Sequence, residues 1–338
     1  MPTEKQVMES LEKVLVPDVR RSLVRMNLVQ KVSTANQKVE VALASAALAP
    51  AVQELIKAKV EEVVGEVSGV KAVNVSFAEG KPKDLNKISH IIAVMSGKGG
   101  VGKSLVASLT AIALQRQGYE VGILDADITG ASIPRMFGID ARPAGSDSGI
   151  LPVLSRSGIE VMSINLLLPS EDDAVIWRGP LIARAITQFW EEVLWGQLDY
   201  LIVDLPPGTA DAPLTVMQTL PLSGVLIVFT PQDLTTMIVR KAVKMAGQMG
   251  KTVVGVVENM SYLYLPEIDK KIEVFGRSRG EEMAQAAKAP LLGQLPIDPA
   301  LAQLCDEGNI ERYDAEVVGR LGEALVRSVP IKTEKKAG

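Results

Sequence analysis

Apolar residues between positions 91 and 295 occur in short continuous runs, and longer segments with helical spacing separate these runs. Continuous runs, rather than alternating apolar and polar positions, are typical of strands that are buried on both faces of a parallel sheet. Helices between such strands imply right-handed crossovers. The runs are IIAVM, VGILDA, IEVMSI, YLIVDL, GVLIVF, TVVGVV and PLLGQL. The pattern predicts an α/β domain over residues 89–330, with a doubly wound, mostly parallel sheet covered by helices on both faces.

The first 78 residues carry a different pattern. Apolar positions recur at helical spacing in segments 3–16 and 50–67, whereas segments 39–44 and 70–77 have the composition of strands. These elements predict a small α+β domain over residues 1–78, a size that can fold alone.

Two polar segments border the predicted α/β domain. Residues 79–88 contain Gly80 and Pro82, and we interpret them as a linker. Residues 331–338 are interpreted as a polar tail. The total of 338 residues agrees with two domains.

Composition and charge exclude several classes of protein. Hydrophobic residues make up 47% of the chain and charged residues 22%, which is ordinary for a globular protein. The net charge is −4, so we expect no binding to nucleic acid or to an anionic membrane surface. The first residues lack the apolar run of a signal peptide. No uninterrupted apolar stretch of about 18 residues is present, and we therefore expect no membrane span.

The chain has one cysteine, Cys305, and one histidine, His90. A lone cysteine cannot form an internal disulfide, which fits a cytoplasmic location. The same scarcity excludes a His/Cys metal site within one chain. His90 stands at the start of a buried run, and we interpret it as structural. Cys305 is interpreted as an ordinary, partly buried thiol.

The segment GKGGVGKS, residues 97–104, follows the apolar run IIAVM and precedes a helical pattern. It matches the P-loop pattern in the strand–loop–helix context that this motif requires. Its glycines let backbone N–H groups approach phosphate oxygens closely, and the helix N-terminus adds a favourable partial charge. Lys103 is expected to reach the β- and γ-phosphates, and the hydroxyl of Ser104 is expected to bind Mg²⁺.

Carboxylates follow two of the predicted strands. Asp125 and Asp127 lie in LDADITG, and Asp204 lies in YLIVDLPPGTAD. Ligands of open α/β sheets bind at the carboxyl ends of the strands. Asp127 can hold the attacking water or help to hold Mg²⁺, and Asp204 can support Mg²⁺ through its waters.

The sequence KGGVGKS resembles the deviant P-loop ATPases, the family that contains MinD, ParA, the nitrogenase iron protein and the Mrp/ApbC carriers. The mark of that family is a second lysine, here Lys98, which by itself reads as a surface residue. The resemblance implies that Lys98 crosses a dimer interface to the phosphates of the facing subunit. It therefore implies a homodimer, with catalytic roles for Lys98, Lys103 and Asp127.

Further motifs narrow the resemblance to the Mrp/ApbC family, whose members are P-loop ATPases that carry iron–sulfur clusters. The motifs are DADITGASIPRMFG, WRGP, WGQLDYLIVDLPPGTAD, TPQD and VVENMSY. The small first domain is similar to one that is often fused to these ATPases. The resemblance implies that Asn259 bonds adenine. Leu105 replaces a Ser or Thr that usually touches the nucleotide, which removes one hydroxyl contact. The expected ATP contacts are Gly97, Lys98, Gly99, Gly100, Val101, Gly102, Lys103, Ser104, Leu105 and Asn259.

One departure from the family concerns its cargo. In the family, the motif ENMSY is followed by two more residues and then by Cys-Pro-x-Cys, and two such pairs in a dimer hold a [4Fe–4S] cluster. Here Leu265 and Ile268 occupy the cysteine positions. We therefore expect no stable cluster in the isolated protein. Segment 262–274 is expected to form an exposed hairpin or loop, with Tyr262, Leu263 and Leu265 packed inward or against the partner chain.

Three functions remain open at this stage. The first is a slow, dimeric ATPase of the carrier family that has lost its cluster ligands and acts on iron–sulfur clients or assembly proteins. The second is a cluster or metal carrier that uses carboxylates, Cys305 or the thiols of a partner. The third is a MinD/ParA-like positioning ATPase, which calls for a C-terminal amphipathic membrane helix or a basic face for DNA. We rank it last, because the apolar stripe of Val317, Val318, Leu321 and Leu325 is expected to pack on the core.

Overall fold

The computed structural model describes residues 2–127, 130–167, 179–209, 211–232, 235–265 and 268–331. Several residues named above lie outside these ranges: Trp177 and Arg178 of WRGP, Asp233 of TPQD, Pro266 and Glu267 of segment 262–274, and most of the tail, 332–338. The described chain divides into two compact units, of which the first contains residues 1–88, 142–153 and 188–198.

The first unit combines helices with a three-stranded sheet in the order β3-β4-β5. Strands β4 and β5 are parallel, and β3 is antiparallel to β4. Its elements are α1 (Glu4–Leu11), β1 (Leu15–Val16), β2 (Arg21–Ser22), β3 (Val29–Ala35), β4 (Lys38–Ala44), α2 (Pro50–Gly65), β5 (Ala72–Ala78) and α3 (Pro82–Leu85). The predicted α+β character is confirmed, including the strands at 39–44 and 70–77 and the helix at 50–67.

The helix predicted over residues 3–16 is shorter than expected. It begins at a capping box between Thr3 and Gln6 and ends at Leu11. Leu15 and Val16 instead form β1, which pairs with β2. The residue before a proline is sterically excluded from the helical region, so Pro17 affects the backbone before it as well as ending the pattern.

Residues 79–88, predicted to be a linker, belong to the first unit. Leu85 is buried in its hydrophobic core, together with Leu151 and Leu194 from later parts of the chain. The side chain of Asn86 donates to Val193 O and accepts from the backbone N–H groups of Trp195 and Gly196. The segment is therefore held by buried apolar contacts and hydrogen bonds.

The second unit contains a large sheet with nine strands among the described residues, in the order β10-β11-β7-β12-β6-β13-β14-β15, with β16 also paired to β14. Its strands are β6 (Lys87–Met95), β7 (Val121–Asp125), β10 (Val153–Leu154), β11 (Glu160–Ser163), β12 (Gln197–Asp204), β13 (Gly224–Phe229), β14 (Val253–Leu265), β15 (Lys270–Ile272) and β16 (Leu291–Ile297). A separate short pair joins β8 (Gly145–Ser146) to β9 (Gly149–Ile150).

Each of the seven apolar runs corresponds to a strand of this sheet. Neighbours β11, β7 and β12 are parallel, as are β6, β13, β14 and β16. Only β15 is shown to be antiparallel to its neighbour. The predicted α/β fold with a large, mostly parallel sheet is confirmed.

Helices flank this sheet. Helix α4 packs with α11 and against β7, whereas α8 packs with α9. The helices are α4 (Lys103–Arg116), α5 (Ile133–Phe137), α6 (Gly179–Glu192), α7 (Asp211–Thr219), α8 (Thr235–Gln248), α9 (Gly280–Ala287), α10 (Pro299–Asp306) and α11 (Glu316–Ser328). None of the helices in the described ranges has both the length and the apolar character needed to cross a bilayer.

The C-terminal helix and His90 both have structural contacts. Val318, Leu321 and Leu325 of α11 are fully buried, as the apolar stripe predicts, whereas Val317 of that stripe is half-buried. The His90 ring stacks on Tyr200 at 5.5 Å between ring centres, and its Nε2 lies 3.1 Å from Pro330 O.

Candidate functional site

The P-loop segment joins β6 to α4, as its strand–loop–helix pattern predicts. Gly100 and Gly102 have φ values of 77° and 75°, a left-handed conformation that glycine adopts without steric cost. Gly102 is also the N-cap residue of α4. The first N–H groups of a helix lack intrahelical acceptors, so this junction can bind an anion.

A cavity of about 320 Å³ opens above this junction. Its walls combine the P-loop with the ends of neighbouring elements. They are formed by Ser96, Gly99, Gly100, Gly102, Lys103, Ser104, Leu105, Asp127, Ser132, Met136 and Pro207. Of the loop residues predicted to contact the nucleotide, Gly99, Gly100, Gly102, Lys103 and Ser104 line this space, as does the hydrocarbon side chain of Leu105, whereas Gly97 and Lys98 are not among its lining residues. Val101 is buried instead, with 2% exposure.

Lys103 lies between two of the predicted carboxylates. Its Nζ is 2.6 Å from Asp204 Oδ1 and 3.5 Å from Asp127 Oδ2. Ser104 Oγ is 3.4 Å from the same ammonium group. Because all of these side chains come from the carboxyl ends of β7 and β12 or from the P-loop, the sheet topology brings together residues that are 24 and 101 positions apart.

Asp125 and Asp204 end neighbouring strands in register. Burial and, after it, the charge of Asp204 together raise the pKa of Asp125 to about 7, although a hydrogen bond from the Ile133 N–H opposes the shift. Burial also raises the pKa of Asp204, although the charge of Lys103 favours its ionised form. The site thus concentrates more carboxyl groups than one lysine neutralises.

Asp204 fits a role near Mg²⁺. Its Oδ2 atom is buried and has no hydrogen-bond partner among the described residues. No group of three or more His, Cys, Asp and Glu side chains in those residues is arranged to hold a metal by itself. Mg²⁺ is ordinarily held by one or two protein oxygens, substrate phosphates and waters. Ser104 Oγ and Asp204 can supply such a partial shell.

Lys98 makes a contact within its own chain that the sequence did not indicate. Its Nζ donates to the side-chain oxygen of Gln232, in the TPQD segment that follows β13. Its carbonyl accepts from Ser96 Oγ at 2.9 Å. A polar side chain just after a buried strand was the available signal for Gln232, the same signal that singled out the aspartates.

Asn259, predicted to bond adenine, is 1% exposed and contacts the P-loop directly. Its Nδ2 donates to Val101 O at 2.9 Å. The adenine contact stays a prediction.

The neighbouring Glu258, which sequence reasoning passed over, is completely buried at the end of the run TVVGVV. A charged residue that ends an apolar strand was again the signal.

The described residues of segment 262–274 include two antiparallel paired strands, which agrees with the predicted hairpin. Strand β14 continues to Leu265 and pairs with β15 through Leu263–Ile272, Tyr264–Lys271 and Leu265–Lys270. Tyr262, Leu263 and Leu265 are half-buried. The outer apolar residues are exposed: Tyr264, Ile268, Ile272, Val274 and Phe275.

The single thiol, Cys305, lies on α10, away from the hairpin in sequence. Burial raises its pKa to about 11. A cluster ordinarily uses four thiolates, and this chain has one thiol.

Two family models match the chain. The model described as NUBPL iron-transfer P-loop NTPase, of the ParA type, matches residues 87–328. A model described as iron–sulfur cluster assembly protein matches residues 4–77.

Several curated proteins are similar over most of their length. An iron–sulfur cluster carrier protein of Synechocystis is 39% identical over 91% of this chain and 91% of its own. A protein of the same name from Clostridium perfringens is 48% identical over 68% of this chain and 83% of its own. The human cytosolic Fe-S cluster assembly factor NUBP2 is 44% identical over 69% of this chain and 88% of its own.

Solved structures agree with these similarities. A nucleotide-binding protein of Archaeoglobus fulgidus in complex with ADP is 48% identical, with a TM-score of 0.62, over 68% of this chain and 90% of its own. MinD of Pyrococcus horikoshii with Mg-ADP is 19% identical, with a TM-score of 0.51, over 71% of this chain and 93% of its own, and it shares the fold.

Proposed function

Because the chain belongs to the NUBPL-type family of iron-transfer P-loop NTPases, we propose that it is a slow, Mg²⁺-dependent ATPase that acts as a switch in a homodimer. The observation that carries this proposal is the placement of Lys103 between Asp127 and Asp204, at the wall of a cavity made by the P-loop. A nucleotide-binding site is thereby combined with the carboxylates that hydrolysis requires.

ATP binding changes the partners of Lys103. In the cavity its ammonium group pairs with Asp204, and phosphate oxygens compete for the same cation. Release of Asp204 frees that carboxylate to support Mg²⁺ together with the hydroxyl of Ser104. The ion neutralises charge on the β- and γ-phosphates when it is bound. Asp127, at the rim of the cavity with 8% exposure, orients the attacking water.

The homodimer supplies Lys98 in trans. In a single chain Lys98 donates to Gln232, so its charge is not directed at the phosphates of its own subunit by any described contact. Transfer to the facing subunit adds a cation where negative charge develops in the transition state. Turnover then depends on dimer formation, which makes the nucleotide a switch for assembly.

We propose iron–sulfur client or assembly proteins as partners, because the similar proteins are named as cluster carriers and assembly factors. The cluster is cargo in this proposal. The isolated protein does not ligate it, since Leu265 and Ile268 offer hydrocarbon and the chain has one cysteine. We propose a cytoplasmic location, and no nucleic-acid or membrane partner.

A second candidate is cluster carriage with thiols from a partner protein. The observation that favours it is the 39–48% identity to proteins named as carriers. A positioning function of the MinD type is disfavoured, because Val318, Leu321 and Leu325 of the C-terminal helix, as the described residues show it, are buried and are not available to a membrane.

The test is ATP binding and phosphate release with and without Mg²⁺. The parent is expected to bind ATP tightly and to release phosphate slowly when Mg²⁺ is present. Asp127→Asn keeps the size of the side chain, so it should retain ATP binding and lose most of the turnover. A parent that binds ATP equally poorly with and without Mg²⁺ contradicts the proposal.

A further inference from the structure

Strand β14 is continuous, but its pairing with β16 has an interruption beside the P-loop. Its pairing with β16 shifts between Glu258 and Tyr262. Within the interruption Met260 has a φ of 55°, in the left-handed region that non-glycine residues rarely adopt. Such a conformation persists only where the surroundings determine it, and it is often found at functional sites.

Glu258 determines this local structure. Its buried carboxylate accepts four hydrogen bonds, from Ser261 Oγ at 2.6 Å, Ser278 Oγ at 2.7 Å, the Arg279 N–H at 2.7 Å and Gln294 Nε2 at 3.0 Å. These donors come from β14 itself, from the segment before α9 and from β16. A buried carboxylate with this many partners is costly to move, because any displacement leaves polar groups unpaired.

The interruption directs Asn259 at the P-loop. The Asn259 Nδ2 atom donates to Val101 O across 2.9 Å, with the amide almost completely buried. The fit leaves no spare room: a Cβ on Gly102 would lie 2.2 Å from the same Nδ2 atom. The contact joins two parts of the chain that are 158 residues apart.

The Val101 carbonyl and the Gly102 N–H belong to one peptide plane. In a trans peptide these two groups point in opposite directions. A carbonyl that is fixed toward Asn259 therefore directs the Gly102 N–H away from Asn259, and Gly102 lines the phosphate-sized cavity. The left-handed glycines at 100 and 102 give this peptide the freedom to rotate when nothing holds it.

We propose that Asn259 is a positioning residue for the phosphates: its amide fixes the Val101–Gly102 peptide so that the loop N–H groups are arranged for phosphate before ATP arrives. This role differs from recognition of the base, because it acts on any polyphosphate. It rests on the proposed function only in assuming that the P-loop binds the phosphates of ATP.

The deciding measurement is the affinity of Asn259→Ala for inorganic tripolyphosphate and for ATP, each with Mg²⁺, by calorimetry. Tripolyphosphate has no base, so a base contact cannot affect it. Loss of one buried hydrogen bond that prearranges the loop should weaken both ligands by a similar factor, roughly five- to tenfold. Tripolyphosphate affinity equal to that of the parent, with only ATP weakened, overturns the proposal.

The matched control is Tyr264→Phe. It removes a hydrogen bond on the same strand, from Tyr264 Oη to Asp269 Oδ1 at 2.7 Å, at an exposed position outside the Glu258 network. Its ligand affinities should equal those of the parent. Hydrogen–deuterium exchange over residues 97–104 gives a readout without ligand: exchange should rise in Asn259→Ala and stay unchanged in Tyr264→Phe. Equal exchange in both variants counts against the positioning role.

Lys103→Ala distinguishes a failure of the P-loop assignment from a failure of the positioning role of Asn259. If it binds ATP and tripolyphosphate as tightly as the parent, the P-loop assignment itself fails. If it loses both ligands while Asn259→Ala keeps tripolyphosphate, only the positioning role fails. Asn259→Ser serves as a second variant should the alanine variant not fold, because its shorter hydroxyl does not span the distance to Val101 O, and the same loss is expected.

Discussion

Nζ of Lys103 lies 2.6 Å from Oδ1 of Asp204, and the two side chains are 5% and 0% exposed. A cation and a carboxylate that are paired in such a buried environment interact strongly. Removing one of them leaves the other as an unpaired buried charge, which is strongly destabilising. The pair therefore holds Lys103 of the P-loop in place. An incoming phosphate must displace the Asp204 carboxylate from the Lys103 ammonium group.

Replacement of Lys103 by alanine should abolish tight ATP binding. Each charge-assisted hydrogen bond to phosphate contributes about 1.5–3 kcal/mol, so loss of two of them weakens binding by roughly a hundredfold or more. Calorimetry with Mg-ATP measures the change. Lys83→Ala is the control, since that lysine makes only an exposed ion pair with Glu191 at 3.2 Å, and it should bind ATP like the parent.

The raised pKa of Asp125 predicts a pH-dependent stability. The carboxyl titrates near 3.8 in the unfolded chain and near 7 in the folded one. Its contribution to stability is thus complete below about pH 4 and is lost as pH rises through about 7. Asp125→Asn does not titrate, so its melting temperature relative to the parent should rise by a few degrees, roughly 2–5 °C, from pH 5 to pH 8.

The measurement is thermal unfolding of the two proteins without nucleotide or Mg²⁺ across that range. Asp140→Asn, at an exposed position, is the control and should show a flat difference. A difference for Asp125→Asn that is constant with pH contradicts the predicted linkage.

The trans role of Lys98 predicts complementation between two inactive chains. Lys98→Ala and Asp127→Ala should each lack ATPase activity alone. In a random mixture half of the dimers are mixed, and each mixed dimer has one intact site, so about a quarter of the parent activity should return. If Lys98 acts within its own chain, mixing restores nothing. Subunit exchange is verified by mass spectrometry of dimers that carry different tags.

Cysteines introduced at positions 265 and 268 of the hairpin should enable the protein to bind a cluster. Leu265→Cys/Ile268→Cys places two thiols on each chain and four in a dimer, the number that a [4Fe–4S] cluster uses. After anaerobic reconstitution and desalting, the double variant should show charge-transfer absorbance and the parent should not. Cys305→Ser should match the parent. If the parent retains about four irons per dimer, the result favours the function in which the protein carries a cluster through carboxylates, Cys305 or the thiols of a partner.

Many of the residues that line the P-loop cavity were identifiable from the sequence, because their chemistry is local or lies at strand ends. The P-loop needs only the order of its glycines and lysine, and the aspartates follow apolar runs. The pairing of Lys103 with Asp204 was not predictable, since it depends on which strands are neighbours. The same holds for Asn259 and Val101, whose contact is created by an interruption in the pairing of β14 with β16 that leaves no mark in the composition of β14.

The N-terminal errors have local causes. The helical spacing of residues 3–16 continues past Leu11, but Pro17 favours an extended backbone before it. The polar composition of residues 79–88 concealed a role in packing, because Leu85 and Asn86 make contacts with residues more than 50 positions away.

The core that contains Leu85 has a practical consequence for anyone who divides this protein. The two family models meet between residues 77 and 87, which suggests a single place to cut the chain. A fragment ending there would lack Leu151 and Leu194, which complete the hydrophobic core of the first unit. The hydrophobic core of that fragment would be open to water where these two leucines pack. The remaining fragment would expose both leucine side chains to solvent. The first unit is assembled from three separate stretches of the chain, so a gene split at one site yields two incomplete fragments.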